Sequence, residues 1–177
     1  MNRVHESLKT LRVAHGVYHG GMEQIDREKA LIKFRNGSTN LLITTDLGAR
    51  GLDIPEIEAV IHYQLPTTED SMIHRNGRTA RMHAEGTAYL LLDKQDYLPK
   101  YLTEEPEEEI LPDAFIAPPP VEWRTLYIAA GKKDKVKKMD IVGKIKKKGE
   151  LNKDELGKIE VLDNSAYAAV KSNKIEG

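Results

Sequence analysis

No cysteine occurs among the 177 residues, which removes disulfides and thiolate-bound zinc from consideration. The six histidines lie far apart in sequence, without the close pairing expected of a metal site, so no metal is expected on this chain. There is no run of about eighteen apolar residues. The amino terminus, Met1 to Arg12, is polar and helix-like rather than a charged segment followed by an apolar one. Neither a membrane span nor a secretory leader is expected, and the expected location is cytoplasmic. What is present is ordinary for a globular protein: 40% hydrophobic and 31% charged residues, in a length that suits one or two domains.

The formal net charge of -1 hides an uneven distribution. Residues 1–102 balance, with thirteen basic against thirteen acidic side chains. Thr103 to Pro120 carries Glu104, Glu105, Glu107, Glu108, Glu109 and Asp113 with no basic residue. From Val121 onward thirteen lysines and Arg124 oppose nine acids, a surplus of the sign that attracts phosphate. The acidic stretch ends in Pro118, Pro119 and Pro120, which favour extended geometry, so it reads as a linker between a domain at 1–102 and another at 121–177.

Upstream of the linker, Val13 to Tyr18, Leu41 to Thr45, Ala59 to Tyr63 and Thr87 to Leu92 read as strands, alternating with helical patterns. Leu41, Leu42 and Ile43 are apolar without alternation, as in a parallel strand covered on both faces. Helices are expected at Asn2 to Leu11 and at Glu23 to Phe34, the latter with Ala30, Leu31 and Phe34 on one side and a stop at Asn36-Gly37. Another starts near Thr67, where Thr67 and Asp70 have capping-box spacing, and runs into His74-Arg75. Downstream the order is β-α-β-β: strand Thr125 to Ala129, helix Lys138 to Lys147 with Met139, Val142 and Ile145 inward, then strands Ile159 to Leu162 and Tyr167 to Val170. No repeat of fixed period is visible.

The sharpest chemical signal is His74-Arg75-Asn76-Gly77-Arg78-Thr79-Ala80-Arg81, with an arginine at every third position. Guanidinium groups keep their charge and present planar forks that suit phosphate oxygens. On spacing alone two readings stand: arginine fingers for a triphosphate, or a solvated cluster paired to carboxylates.

This string resembles the HRxGRTGR block of DEAD-box helicases, with Ala80 where that family usually has glycine. Thr44-Thr45-Asp46-Leu47-Gly48-Ala49-Arg50-Gly51-Leu52-Asp53-Ile54-Pro55 resembles the family's TTDxxARGLDIP block, and Tyr18-His19-Gly20-Gly21-Met22 with Gln24 and Arg27 its HGxxxQxxR block. The three stand in family order across nearly all of residues 1–100. The resemblance implies that Arg78 and Arg81 are catalytic, reaching the γ-phosphate of ATP. It also implies that Gly51 and Asp53 bind ATP, Asp53 at the ribose, and that His74 and Arg75 lie between two lobes. Gly20, Gln24, Arg27 and Thr45 would follow an RNA backbone. A glycine pair leading into a helix offers N–H groups and positive dipole to a phosphate, and Gln24 and Arg27 are one turn apart. Arg27 could equally pair with Glu23.

No GxxxxGKS/T phosphate loop and no Asp-Glu-Ala-Asp block occur in these residues. ATP with Mg2+ is therefore expected mainly on an amino-terminal RecA-like lobe of the same protein, and this chain alone is expected to be inactive as an ATPase. The family's second lobe also opens with an apolar strand ahead of the first helix, so the chain is expected to be truncated at its start.

In the tail, Leu126-Tyr127-Ile128 resembles the first, and Ala166-Tyr167-Ala168-Ala169-Val170 the third, strand of RNA-recognition motifs. Strand alternation sends Leu126, Ile128, Ala168 and Val170 to the core and leaves Tyr127 and Tyr167 on the open face, where they could stack on bases or simply be solvated. The wider segment from Thr125 resembles the RNA-binding domain of the DbpA subgroup, which implies structured ribosomal RNA as partner, with Tyr127, Tyr167, Lys132 and Lys133 among the contacts. Ala169 stands where a second aromatic is common, which shifts weight to the lysines. The expected fold is thus α/β, a parallel-sheet RecA-like helicase lobe incomplete at its amino terminus, followed by an α+β RRM-like domain incomplete at its carboxy terminus. A binding module without catalysis, an RNA clamp, is the alternative.

Overall fold

A computed structural model of the chain describes residues 1–46, 57–79 and 86–175. The chain divides into two compact units, Met1–Thr45 with Ala117–Gly177, and Asp46–Ile116. The first forty-five residues group with the basic tail.

In chain order the first unit contains α1 (Asn2–Thr10), β1 (Gly16–Tyr18), α2 (Gln24–Arg35) and β2 (Leu42–Thr44). The second contributes β3 (Ala59–His62), α3 (Glu69–Asn76) and β4 (Thr87–Leu90). The first unit resumes with β5 (Trp123–Ile128), α4 (Lys138–Gly149), β6 (Leu156–Val161) and β7 (Ala166–Lys171). β1 pairs with β2, and β3 with β4, both in parallel, as short apolar strands linked through helices must. β5, β7 and β6 form an antiparallel sheet with β7 in the middle. The sheet types match the expected α/β segment followed by an α+β one. Among the described residues no helix is long and apolar enough to cross a membrane.

Helix ends follow local chemistry. α2 stops at Asn36 and Gly37: Gly37 takes φ +68°, open to glycine without strain, while the N–H of Ser38 reaches back to the Lys33 carbonyl at 2.9 Å. α3 starts one residue later than its capping-box spacing suggests. Thr68, not Thr67, accepts from the Ser71 N–H at 3.3 Å, with Glu69 and Asp70 in the first turn.

The tail core is built on α4 against one sheet face. Ile141, Ile159, Ala166 and Ala168 are buried there, with Ile128, Val142, Ile145, Leu156 and Val161 packed around them. Met139, expected inward, is 73% exposed, because the inward face is phased on Ile141 and Ile145, one helical turn apart. On α2 the buried residue is Ile32, while Ala30, Leu31 and Phe34 are half-buried.

Candidate nucleotide and nucleic-acid sites

The arginine row begins in α3 and runs past its end. β3 delivers His62 to the interior at 1% exposure, where its Nε2 lies 2.8 Å from the Asn76 side-chain oxygen. That oxygen can only accept, so Nε2 carries the proton and Nδ1 faces Arg75 Nη1 at 3.4 Å as an acceptor. Burial pushes the His62 pKa down, with the Arg75 charge adding to it, which favours the neutral ring this arrangement needs. Arg75 is itself fully engaged: Nε and Nη2 donate to the two carboxylate oxygens of Asp46 at 2.6 and 2.8 Å, and Nη1 donates to the Gln64 carbonyl at 2.8 Å. A guanidinium so occupied braces the site; its fork is not presented to a phosphate.

Arg78 follows on backbone fixed from both sides. Its own N–H bonds to the Arg75 carbonyl at 3.2 Å, and Thr79, 6% exposed, makes a parallel bridge to Ile57. The Thr79 hydroxyl donates to the Glu58 carbonyl at 3.4 Å. A helix end and a sheet bridge therefore set the Cα of Arg78 between them. His74 is exposed on the same helix. Gly51, Asp53 and Arg81, expected at the nucleotide, lie outside the described residues.

The residues expected along an RNA backbone collect at one edge of the β1–β2 pair. Because the strands are parallel, Tyr18 and Thr44 are register partners and both strands end on the same side, where Gly20 and Thr45 follow. Gly20 is exposed and a side chain there would meet nothing within 4 Å, so a ligand can approach its backbone. Gln24 Oε1 accepts from Arg27 Nη2 at 2.7 Å, the partner that Glu23 was equally expected to be. The buried Nε of Arg27 meets no partner among the described residues.

In the tail the strand register sends Tyr127 and Tyr167 to one face as alternation predicts, their ring centroids 5.5 Å apart. Tyr127 is 56% exposed. Tyr167, expected open beside it, is 4% exposed, which corrects the picture of a two-tyrosine platform. Its burial raises the phenol pKa. Lys132 and Lys133 are exposed, on backbone tied to the β6–β7 turn through bonds from Lys132 N–H to the Leu162 carbonyl at 2.8 Å and from Lys133 N–H to the Asp163 carbonyl at 2.9 Å.

Sequence reading missed Asp46 and His62 as partners of Arg75, and Trp123, over which Lys171 Nζ sits at 4.5 Å from the ring centroid. The pairing of His5 Nδ1 with His15 Nε2 at 2.7 Å was also unforeseen, since the histidines looked scattered. Asp46 alone had a signal, its place beside Thr45 in a recognised block.

Residues 1–83 match the helicase conserved C-terminal domain and residues 125–177 the DbpA RNA-binding domain. A RecA-like helicase lobe followed by an RNA-binding domain is thus the class these two matches define. The ATP-dependent RNA helicase DbpA of Bacillus subtilis is 30% identical over 211 residues, covering 98% of this chain and 42% of that protein. That of Escherichia coli is 34% identical over 159 residues, covering 86% and 35%. A solved structure of Saccharomyces cerevisiae Dbp5 bound to RNA and ADP BeF3 is 35% identical, covering 52% of this chain and 26% of that chain with TM-score 0.47. The chain belongs to the DEAD-box RNA helicases of the DbpA-like subgroup, and it spans roughly two-fifths of the length of the two DbpA proteins it matches.

Proposed function

We propose that this chain acts within an ATP-dependent RNA helicase of the cytoplasm, with residues 1–102 as the helicase lobe, 103–120 as linker and 121–177 as the RNA-binding domain. Arg78 and Arg81 serve as arginine fingers, offsetting charge on the γ-phosphate of ATP held chiefly by the amino-terminal lobe of the same protein. Gly51 and Asp53 complete the nucleotide contact, and His74 faces the companion lobe. The observation that carries this reading is the Asp46–Arg75–His62–Asn76 network, which holds the end of α3 rigid and so fixes where Arg78 begins. A finger works only when its position is set before the charge develops. No group of three or more metal-ligating side chains occurs among the described residues. Mg2+ would enter as a companion of the nucleotide, where it would neutralise phosphate charge.

Gly20, Gln24, Arg27 and Thr45 contact the sugar-phosphate backbone, reading shape and charge instead of sequence. The lysine-rich tail, with Lys132, Lys133 and Tyr127, tethers the enzyme to structured ribosomal RNA, which places it in ribosome biogenesis. Tethering raises the effective concentration of the core near its target. In the full protein with its first lobe, Arg78→Ala should lower RNA-stimulated ATP turnover by about a thousandfold while sparing RNA affinity. Normal turnover in that variant would remove the finger role. A free-standing RNA clamp, by contrast, predicts RNA binding unaffected by ATP or by adding the first lobe.

A further inference from the structure

The central strand β7 poses a packing question. Ala166, Tyr167, Ala168, Ala169 and Val170 are all buried, none more than 4% exposed. Side chains alternate across a strand, so five buried in succession require cover on both faces. α4 covers one face, with Ala166 and Ala168 in its core. The other, carrying Thr125, Tyr127, Tyr167 and Ala169, is the face an RNA-recognition fold would leave open.

The end of α2 lies on it. Asn36 Nδ2 donates to the Thr125 hydroxyl at 3.2 Å, and the Ser38 hydroxyl is 2.6 Å from the same oxygen. Arg35 Nη1 pairs with Glu160 at 2.9 Å, and Lys158 Nζ reaches the Arg35 carbonyl at 3.3 Å. The Trp123 ring lies between Gly37 and Gly157. A Cβ on Gly37 would lie 3.4 Å from the Trp123 ring, and one on Gly157 would lie 3.0 Å from the same ring's far edge. Glu28, two turns earlier on α2, lies close enough to Tyr167 to push its phenol pKa upward. Asn36 is itself buried, at 8% exposure. Matched polar groups and an ion pair mark a fitted surface rather than chance proximity.

We infer that this sheet face is a docking surface for residues 28–38 of the same chain, and that an RNA strand stacking on the face must displace α2 to reach it. The face is occupied by one or the other. Of the two tyrosines on the face, Tyr127 at the rim stays accessible while α2 is docked. The α2 that caps the sheet is the helix whose first turn carries Gln24 and Arg27, so undocking also frees the helix that meets RNA from its other end. The competition, though not the docking, rests on the reading of the tail as an RNA-binding domain.

The chain has no cysteine, so a single engineered pair reports cleanly. In Ser38→Cys/Thr125→Cys the two sulfurs replace hydroxyls 2.6 Å apart, and oxidised glutathione should close the disulfide, itself reduced to two thiols. The full chain is then titrated with a labelled single-stranded RNA, oxidised and after reduction by dithiothreitol. The emission of Trp123, the sole tryptophan, confirms the fold in each state. The expected result is ready closure, RNA binding weakened at least tenfold in the oxidised form, and recovery on reduction. Failure of the disulfide to form in a chain whose Trp123 emission is native overturns the docking. Closure with unchanged RNA affinity overturns the competition. If the reduced chain also fails to bind RNA, the competition falls together with the RNA-binding reading, while closure still establishes the docked face.

Discussion

Arg75 grips Asp46 through two parallel hydrogen bonds, Nε to Oδ1 at 2.6 Å and Nη2 to Oδ2 at 2.8 Å, across 29 positions of sequence. A lysine at 75 would keep the charge but lose the fork and the bond to Gln64. Asp46 is half exposed, so solvent screens the pair, and Arg75→Lys should cost about 1 kcal/mol of stability. The effect on turnover should be larger, about a hundredfold in the full protein, because the start of the arginine row loses its brace. A urea titration beside an ATPase assay checks both. Equal activity in the two forms would show that Arg75 does not position Arg78.

His62 makes stability depend on pH in a defined direction. Its folded pKa lies below the usual value of about 6.5, so between the two values the unfolded chain binds more protons than the folded one. Stability therefore rises with pH through that window. The contribution is fully present above about 6.5 and is lost as pH falls through the folded pKa. Urea midpoints at pH 7.5 and 5.5 should differ more in the natural chain than in His62→Gln, which keeps a donor for Asn76 but does not titrate. An identical pH dependence in both would place the titrating group elsewhere.

What could be read without a structure was what depends on neighbours in sequence. Element order and the two faces of β5 and β7 follow from alternation, and Tyr127 does pair with Tyr167. The burial of Tyr167 could not be read, because its cover comes from α2, some 130 positions away. Met139 went wrong for a local reason: its spacing to Val142 and Ile145 is as helical as that from Ile141 to Ile145, and only the sheet chooses between the two phases. Thr67 and Thr68 are equally able caps by type, and backbone geometry selected the second. Arg75 was visible as a chemical group, yet its role depends on Asp46 and the Gln64 carbonyl, which no spacing rule joins to it.

Gly131 is squeezed where the turn carrying Lys132 and Lys133 meets the β6–β7 turn. A Cβ there would run into the carbonyls of Leu162 and Asp163. Its N–H also donates to Asp134 at 2.9 Å, closing the turn. Gly131→Ala should therefore destabilise the tail by about 2 to 3 kcal/mol, the range of an overpacked core. It should weaken RNA binding even at temperatures where the chain stays folded, since both lysine backbones hang from those carbonyls. Thermal unfolding paired with RNA titration tests this. Full stability in the variant would mean the two turns are not held together.

Lys132 and Lys133 stand exposed on a turn whose backbone is fixed, whereas Lys171 is paired to Glu122 and Lys174 to Glu155. An exposed lysine on a rigid turn can meet a phosphate without first leaving a partner. If each neutralises one phosphate, log affinity against log salt should lose about 0.7 from its slope per lysine removed from a single-stranded contact. Lys132→Gln/Lys133→Gln should then flatten the plot by about 1.4, whereas Lys171→Gln/Lys174→Gln should leave it nearly unchanged. Tyr127→Leu, which removes a stacking ring but no charge, should lower affinity by about tenfold at every salt concentration with the slope intact. The same loss of slope from both lysine pairs would show a diffuse cationic surface in place of a defined phosphate contact at Lys132 and Lys133.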